Sequence, residues 1–296
     1  MTTANLAVGL TRGIDCDILT RAMIIDVHSH DFAPQVACRA MAGMCKALDG
    51  ILTPSGDGTL ANHLDHLDLA GVDKAVMCPI ATKPGQFDII QRRSVAILSG
   101  EAGARAQQKL IPFGSVHPLD PNWSAHLDEI AAAGLKGVKF HPYYQNFSLA
   151  DPAVWPMFRK IADLGLVVQT HAGRDLGYPG RRDACGPTEC AVLLRQVPDL
   201  KLIVAHLGGC AGYPSHATDV LLELGAYIDT SAIASCWHKD EEMRLLRSWP
   251  RDRILFATDF PWTHYPESLA WVKSVRAPED LPALLGGNAA RLLGLD

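Results

Sequence analysis

Short apolar segments rich in valine and isoleucine recur along the chain and alternate with longer amphipathic segments. The short segments have the length and composition of buried strands, and the longer ones have the spacing of helices that bury one face. Strands alternating with helices predict a parallel sheet, and eight strands are the number that closes a (β/α)8 TIM barrel. The eight predicted strands are 24–30, 74–79, 111–116, 136–141, 166–171, 201–206, 226–231 and 253–259.

Glycines mark where several predicted helices end. Gly71, Gly134 and Gly165 precede the second, fourth and fifth strands, where a helix needs a left-handed residue to stop. A doubly wound open sheet is the alternative, but it usually carries a glycine-rich phosphate turn, and the chain has no GxGxxG segment. We predict one α/β barrel domain over residues 24–296, preceded by an arm over residues 1–23. Predicted helices include 59–70, 124–133, 153–164 and 188–196.

The segment 31–58 is too long for an ordinary connection between a strand and its helix. It contains clustered methionine, cysteine, glycine and proline residues. We predict that it is an insertion after the first strand and that it covers a site.

Composition narrows the class of protein. The 296 residues are 48% hydrophobic and 20% charged, which is typical of a globular protein with a large core. The net charge of -5 and the lack of a basic run argue against nucleic-acid binding. No apolar stretch approaches the ~20 residues of a membrane helix. The eight cysteines are scattered without a CxxC pair, so we expect a cytoplasmic protein with reduced thiols.

Histidines and one aspartate stand at the ends of predicted strands. His28 and His30 alternate at the end of the first strand, and His171, His206 and Asp259 end the fifth, sixth and eighth. The chemistry of a barrel gathers at these carboxyl ends. A lone strand-end histidine is usually structural, but burying so many imidazoles with a carboxylate is costly unless they bind an ion or one another. Imidazole and carboxylate ligands favour Zn²⁺, followed by Mn²⁺, Fe²⁺ or Co²⁺.

Six segments of the chain resemble the amidohydrolase superfamily and its amidohydrolase-related branch (amidohydrolase 2), which includes aminocarboxymuconate-semialdehyde decarboxylase. They are IIDVHSH, GLKGVKFHPYYQNF, LVVQTHAG, LIVAHLGG, ILFATDFPW and LLGGNAARLLGL, in this order. The resemblance implies that His28, His30, His171 and Asp259 bind a divalent metal and that Asp259 shuttles a proton from its water. It implies that His206 binds or deprotonates that water, or is a ligand of a second ion.

Lys139 and His141 share one face of the predicted fourth strand. Two-metal amidohydrolases carry a carboxylated lysine there as a bridge between the ions, whereas the decarboxylase lacks a lysine there. Four roles stay open for Lys139: this bridge, a substrate-carboxylate contact, an ordinary ion pair, or a partner for a barrel acid such as Asp229. Candidate substrate contacts after the strand ends are His141, Tyr143, Arg174 and Trp262.

Other polar residues receive weaker assignments. Asp26 is predicted on the same face as His28, where it could support the site from below. His63, His66 and His126 lie in helical segments, and we expect them at the surface.

Hydrolysis is the first functional hypothesis. In it, metal-activated water attacks a lactone, amide or ester carbonyl of a small organic acid, and Asp259 and His206 move protons. The alternative is non-oxidative decarboxylation of an aromatic or unsaturated carboxylic acid, and hydration is a third, less favoured reaction. A barrel that only binds is disfavoured, because every ligand implied by the resemblance is present. We expect a small-molecule substrate, no nucleic-acid or membrane partner, and, by analogy alone, a homodimer.

Overall fold

The eight predicted strands are all present, each shorter than predicted, in a computed structural model that describes residues 22–178, 180, 183–209, 213, 215–231 and 240–295. Hydrogen-bonded neighbours run parallel. The strands are β1 Ile25–Ser29, β2 Lys74–Met77, β3 Leu110–Pro112, β4 Gly137–Phe140, β5 Val167–Thr170, β6 Lys201–Val204, β7 Tyr227–Asp229 and β8 Ile254–Leu255.

Backbone hydrogen bonds join the strands in chain order into a barrel. β1 to β3 form one sheet and β4 to β8 form another. Gly114, which follows β3, joins the two sheets: its N donates to Gly137 O and its O accepts from Lys139 N, both at 2.9 Å. On the other side Asp259 N donates to His28 O at 2.8 Å. The predicted (β/α)8 barrel is therefore confirmed.

Helices cover the barrel, and the four predicted from amphipathic spacing are confirmed as Leu60–Ala70, Trp123–Ala132, Trp155–Asp163 and Pro187–Gln196. Gly71, Gly134 and Gly165 have φ angles of 66°, 80° and 69°, the left-handed conformation expected of them. In the described residues, no helix is long and apolar enough to cross a membrane. Helices α1 to α8 are Pro34–Leu48, Leu60–Ala70, Phe87–Ser99, Ala104–Lys109, Trp123–Ala132, Pro142–Gln145, Trp155–Asp163 and Pro187–Gln196. Later helices are Asp219–Glu223, Asp240–Ser248, Tyr265–Val275 and Asn288–Leu293; 3-10 turns span Pro152–Val154, Ser215–Thr218 and Pro278–Asp280, and Ala283–Gly287 is π-helical.

The insertion after β1 folds mainly as α1. Proline at position 34 starts this helix, where its fixed φ suits the first turn. The helix ends at Asp49, whose φ is 44°. Most of the insertion is therefore a regular helix rather than an irregular loop.

An irregularity in β1 changes which way its side chains point. The register with β2 shifts between Asp26 and Ser29. Val27 packs in the apolar cluster inside the barrel, and His28 contacts Asp229, also inside it. Asp26 instead contacts Tyr265 of an outer helix. The prediction that Asp26 and His28 share a face is therefore wrong, because a bulge breaks simple alternation and re-aims the side chain.

We expect Gly137→Ala to destabilise the barrel. A Cβ at Gly137 would lie 2.4 Å from Val167 O and 2.5 Å from the Phe113 ring. Such overpacking lowers the free energy of unfolding by about 1–3 kcal/mol, measurable by urea denaturation. Gly43→Ala in α1 is the control, because the described residues leave 4 Å clear around its Cβ. This control should leave stability unchanged or raise it by up to about 1 kcal/mol. Equal effects of the two substitutions would contradict the prediction.

Candidate metal centre

A cavity of about 530 Å³ opens at the carboxyl ends of the strands. Its polar lining comes from the strand ends. Its apolar lining comes largely from α1, where Val36, Ala40, Met44 and Leu48 repeat every four residues and so form one stripe. The insertion therefore covers the strand ends, as predicted. The polar residues at the base are His28, His30, His171, His206 and Asp259.

His28, His30 and Asp259 converge where β1 and β8 end. Asp259 Oδ1 lies 3.4 Å from His28 Nε2 and 3.2 Å from His30 Nε2. Burial acts to raise the pKa of Asp259, but electrostatic interaction with His28 and hydrogen bonding with His30, both in their protonated forms, outweigh it and hold this pKa below its usual value. Asp259 is therefore a carboxylate at neutral pH.

Asp229 and Ser231, at the end of β7, orient His28. Asp229 Oδ2 lies 3.2 Å from His28 Nδ1, and Ser231 Oγ lies 3.1 Å from the same nitrogen. These acceptors place the ring proton on Nδ1 and leave the Nε2 lone pair directed toward Asp259. Burial, followed by the charge of Lys139, lowers the pKa of His28 to about 4. His28 is therefore neutral at pH 7, the form that binds metals.

His30 is oriented in the same way by the backbone. Its Nδ1 lies 2.8 Å from the carbonyl oxygen of Cys78, which can only accept a hydrogen bond. The proton of a neutral His30 ring therefore sits on Nδ1, and its Nε2 lone pair also faces Asp259. Two imidazole lone pairs and one carboxylate thus meet in one place.

Lys139 lies beside this group. Its side chain is buried, and its Nζ lies 2.6 Å from His28 Nε2. Burial lowers the pKa of its ammonium group. Asp229 accepts hydrogen bonds from Gln169 and Ser231, both at 2.6 Å. The structure therefore pairs Lys139 with His28 rather than with Asp229, while the carboxylated bridge and the substrate contact stay predictions.

His171 and His206 extend the cluster from β5 and β6. His206 Nδ1 lies 2.8 Å from Ser231 Oγ and 3.2 Å from the Ser231 carbonyl oxygen, which places its proton on Nδ1. His206 Nε2 can then accept from His171 Nδ1, 3.1 Å away. This leaves His171 Nε2 as a lone pair on a buried atom that has no hydrogen-bond partner among the described residues. Burial, followed by the neighbouring histidines, holds the pKa of His171 well below 6.5.

Asp175 joins His141 and His171 in a second group. Its Oδ2 lies 3.4 Å from His141 Nε2 and 4.0 Å from His171 Nε2. The rings of His141 and His171 stack with centroids 4.1 Å apart. The potential ligand atoms of this group lie within 4.8 Å of one another, as do those of His28, His30 and Asp259. The structure thus places His171 next to, rather than inside, the compact group around Asp259.

The backbone is strained at two residues of the cluster. His206 has φ 57° and ψ 56°, and Asp259 has φ 60°. A non-glycine residue in this left-handed region costs about 1–3 kcal/mol and persists only where the surroundings enforce it. Such strain is common at functional sites, which supports a functional role for both residues.

Comparison with known proteins gives the family. The model of the amidohydrolase family (Amidohydro_2) matches residues 99–295. The chain belongs to this family. No curated protein sequence is a significant match.

Solved structures share the barrel of this amidohydrolase. An uncharacterised TIM-barrel protein from Bordetella bronchiseptica is 18% identical, with a TM-score of 0.71 over 92% of this chain and 98% of that one. A 5-carboxyvanillate decarboxylase from Novosphingobium aromaticivorans, complexed with manganese and 4-hydroxy-3-methoxy-5-nitrobenzoic acid, is 16% identical (TM-score 0.65, 93% and 97% covered). A probable 2-pyrone-4,6-dicarboxylic acid hydrolase from Acinetobacter baumannii is also 16% identical (TM-score 0.62, 92% and 99% covered). At these identities the likeness shows the fold.

The side chains at the centre of this amidohydrolase fit a divalent metal ion. The lone pairs of His28 and His30 face the Asp259 carboxylate, and such converging acceptors suit a cation. Nitrogen and oxygen ligands without thiolate are those of Zn²⁺ and Mn²⁺. The buried lone pair of His171 is a further donor at the cluster. Burial raises the pKa of the neighbouring Cys78 thiol to about 12, and its Sγ donates to Val27 O at 3.9 Å.

The predicted substrate contacts after β4 need one correction. His141 and Trp262 line the cavity, as does Tyr144, whereas the lining formed by the described residues does not include Tyr143. Tyr143 is buried, and its ring lies edge-on to His171 at 5.9 Å. The reason is that these tyrosines lie in the short helix α6, where successive side chains are rotated by about 100°.

Among the described residues, two arginines line the cavity, of which only Arg174 was predicted. The Arg174 side chain is 62% exposed, lies 3.6 Å from Asp183 and stands over the Tyr213 ring. Arg93 comes from α3 and pairs with Asp31. The anion-binding role of Arg174 stays a prediction.

Several residues of the site were not predicted although the sequence held a signal for most of them. Asp31 directly follows the His-x-His segment, Asp175 follows His171 by four residues, and Ser231 follows Asp229 by two. Arg93 gives no such signal, because it lies in the middle of α3 and away from any strand end.

We expect the metal-free protein to lose stability as the pH falls from 6.5 to about 4. The folded pKa values of His28, His141 and His171 are lowered, so below pH 6.5 the unfolded chain binds protons that the folded protein does not. Asp26 acts against this loss of stability, because burial raises its pKa to about 6 and the folded protein therefore binds a proton that the unfolded chain does not. Its effect is smaller than the combined effect of the three histidines.

Urea denaturation with a chelator present should show a free energy of unfolding lower at pH 5 than at pH 7 by about 2 kcal/mol or more. His28→Asn should reduce this difference. Equal stability at the two pH values would contradict the assignment of neutral buried histidines.

Proposed function

We propose that this amidohydrolase is a metal-dependent carboxy-lyase that removes CO2 from a small aromatic or unsaturated carboxylic acid. The apolar wall of the cavity carries this proposal. The α1 stripe (Val36, Ala40, Met44 and Leu48) faces the same space as the histidine cluster, together with Ile90 of α3. An apolar wall suits an aromatic or unsaturated skeleton and strips water from a substrate carboxylate. Loss of that water destabilises the ionised acid relative to a transition state in which its charge is dispersed.

We infer that His28, His30, Asp259 and His171 hold the metal, which is manganese or zinc by the chemistry of the donors. When bound, a divalent ion binds and polarises substrate oxygen atoms. The protein's own contribution is orientation: Asp229 and the Cys78 carbonyl hold the rings of His28 and His30 with their Nε2 atoms toward Asp259.

Decarboxylation also needs a proton, since the C–CO2⁻ bond is replaced by a C–H bond. His206 and Asp259 are the groups at the base that can carry it. His206 is held at Nδ1 by Ser231, so only its Nε2 side can exchange a proton with the cluster. Asp259, 15% exposed, can take up a proton and deliver it to substrate carbon.

Hydrolysis of a lactone, amide or ester is the second candidate. The likeness to a probable 2-pyrone-4,6-dicarboxylic acid hydrolase favours it, and the same residues could move its protons. The cavity itself suits a dianionic substrate less well. Of the two arginines that line it within the described chain, Arg93 is already paired with Asp31.

A product assay separates the two reactions. Metal-loaded protein is incubated with hydroxybenzoic acids, including 2,6-dihydroxybenzoate, and with lactones, including 2-pyrone-4,6-dicarboxylate. We expect CO2 from an aromatic acid and no ring opening of lactones. Asp259→Asn should lower kcat by about 10²–10⁴-fold, because it removes the proton carrier. Asp128→Asn, in an exposed pair with Lys160, should leave kcat unchanged. Lactone hydrolysis without CO2 would instead support the second candidate.

Metal analysis tests the centre and the role of Lys139 together. We expect about one equivalent of transition metal per chain, since His28, His30 and Asp259 form one compact group of potential ligands. Two equivalents would favour the carboxylated bridge. Less than half an equivalent, after purification without chelators and incubation with Mn²⁺ or Zn²⁺, would contradict the metal centre.

A further inference from the structure

We propose that His63 is a positioning residue for the metal centre and that it aligns the two loops that carry His30 and Asp259. This inference rests on the proposed metal site. His63 was expected at the surface because it lies in a helical segment, and that expectation is wrong. Its side chain is completely buried, on the same face of α2 as Leu64 and Leu67.

Both ring nitrogens of His63 are hydrogen-bonded. Nδ1 lies 3.2 Å from Asp31 Oδ2, and Nε2 lies 3.1 Å from the Tyr265 hydroxyl. The ring also stacks on Phe260, with centroids 4.8 Å apart and planes inclined by 15°. The ring is therefore fixed in position on both edges and on one face.

The partners of His63 are the chain neighbours of two predicted ligands. Asp31 follows His30 directly, and Phe260 follows Asp259 directly. The loops after β1 and β8 also share a hydrogen bond, from His30 N to Phe260 O at 2.7 Å. A shift of His63 would therefore move both loops at once, and with them the distance between His30 and Asp259.

Tyr265 extends the same support to the backbone below the centre. Burial, followed by the charge of Asp26, raises the pKa of its hydroxyl well above the usual value, so the two groups interact electrostatically. Asp26 Oδ1 accepts from His28 N at 2.9 Å and from Thr258 N at 3.1 Å, and its Oδ2 accepts from Thr258 Oγ1 at 2.6 Å. Asp26 thus ties residue 28 to the residue before Asp259. One buried chain of polar interactions, from Asp31 through His63 and Tyr265 to Asp26, runs behind the centre.

The Asp31 end of this chain depends on its donors. Arg93 donates from Nη2 to Asp31 Oδ1 and from Nη1 to Asp31 O at 2.9 Å. Asp31 itself is buried, and a buried carboxylate that loses a hydrogen bond is left partly unsatisfied. Removing the His63 imidazole would therefore release Asp31, and the loop of His30 with it.

The test compares His63→Phe with His66→Phe. Phenylalanine keeps a ring to pack on Phe260 but cannot make either hydrogen bond of His63. His66 lies one turn further along α2, is only partly buried, and also places its ring 5.0 Å from Phe260, so it is a matched control. Because partners that orient ligands contribute 10–100-fold to metal affinity, His63→Phe should weaken Mn²⁺ binding by about that factor. His66→Phe should stay within about twofold of wild type.

Two measurements separate positioning from a general loss of structure. The Mn²⁺ dissociation constant is measured by competition with a chromophoric chelator, and Co²⁺ is added to read ligand geometry from its visible absorption spectrum. We expect His63→Phe to change the Co²⁺ spectrum and His66→Phe to preserve it. Tyr265→Phe, which removes only a hydroxyl, serves if His63→Phe does not fold, and it should weaken Mn²⁺ binding in the same direction.

The outcomes distinguish the proposed metal-dependent function from the proposed positioning role of His63. If wild-type protein does not bind Mn²⁺ or Zn²⁺, the proposed metal-dependent function is overturned, and this inference with it. If the wild type binds Mn²⁺ and folded His63→Phe (or Tyr265→Phe in its place) binds it within threefold with an unchanged Co²⁺ spectrum, only the positioning role is overturned.

Discussion

The seam between β1 and β8 is the contact on which the site depends. It joins residues near the two ends of the described chain: Asp259 N donates to His28 O at 2.8 Å, and Asp26 binds Thr258. Without this closure, the histidines of β1 and the aspartate after β8 would belong to distant segments. Barrel closure therefore does more than complete the core, because it creates the group of His28, His30 and Asp259.

Burial makes this group chemically specific. Imidazoles taken out of water are held neutral, and each acceptor behind a ring, such as Asp229 or the Cys78 carbonyl, decides which nitrogen keeps its proton. Hydrogen bonds and electrostatic interactions with these rings hold the pKa values of Asp229 and Asp259 below their usual range despite burial. The outcome is a set of lone pairs and a carboxylate pointing at one another, with Lys139 Nζ 2.6 Å from the lone pair of His28, and this arrangement is suited to a cation. The left-handed backbone of His206 and Asp259 adds a local cost that the surrounding barrel sustains.

The barrel and the cluster at its base were predictable because they follow from strong periodic signals. Apolar strands recur, and polar residues stand where those strands end. The errors have local physical causes. The bulge in β1 turned Asp26 away from the face of His28. The helical geometry of α6 turned Tyr143 away from the cavity and placed its neighbour Tyr144 in the cavity lining. His63 was misplaced because a histidine on an amphipathic helix carries no mark of its distant partners, Asp31 and Tyr265. Pairings of this kind arise only when the chain is closed.

Different parts of the chain supply the reactive groups of the cavity and the walls that surround its substrate space. The strand ends supply the polar chemistry, and decarboxylation, hydrolysis and hydration could all use the same histidines and aspartate. The discrimination must therefore come from the walls, above all from α1 and its stripe of Val36, Ala40, Met44 and Leu48. A wall that excludes water works against a reaction that consumes water and favours one that removes a desolvated carboxylate. We therefore propose that the insertion after β1, rather than the set of proposed metal ligands, selects the reaction of this amidohydrolase.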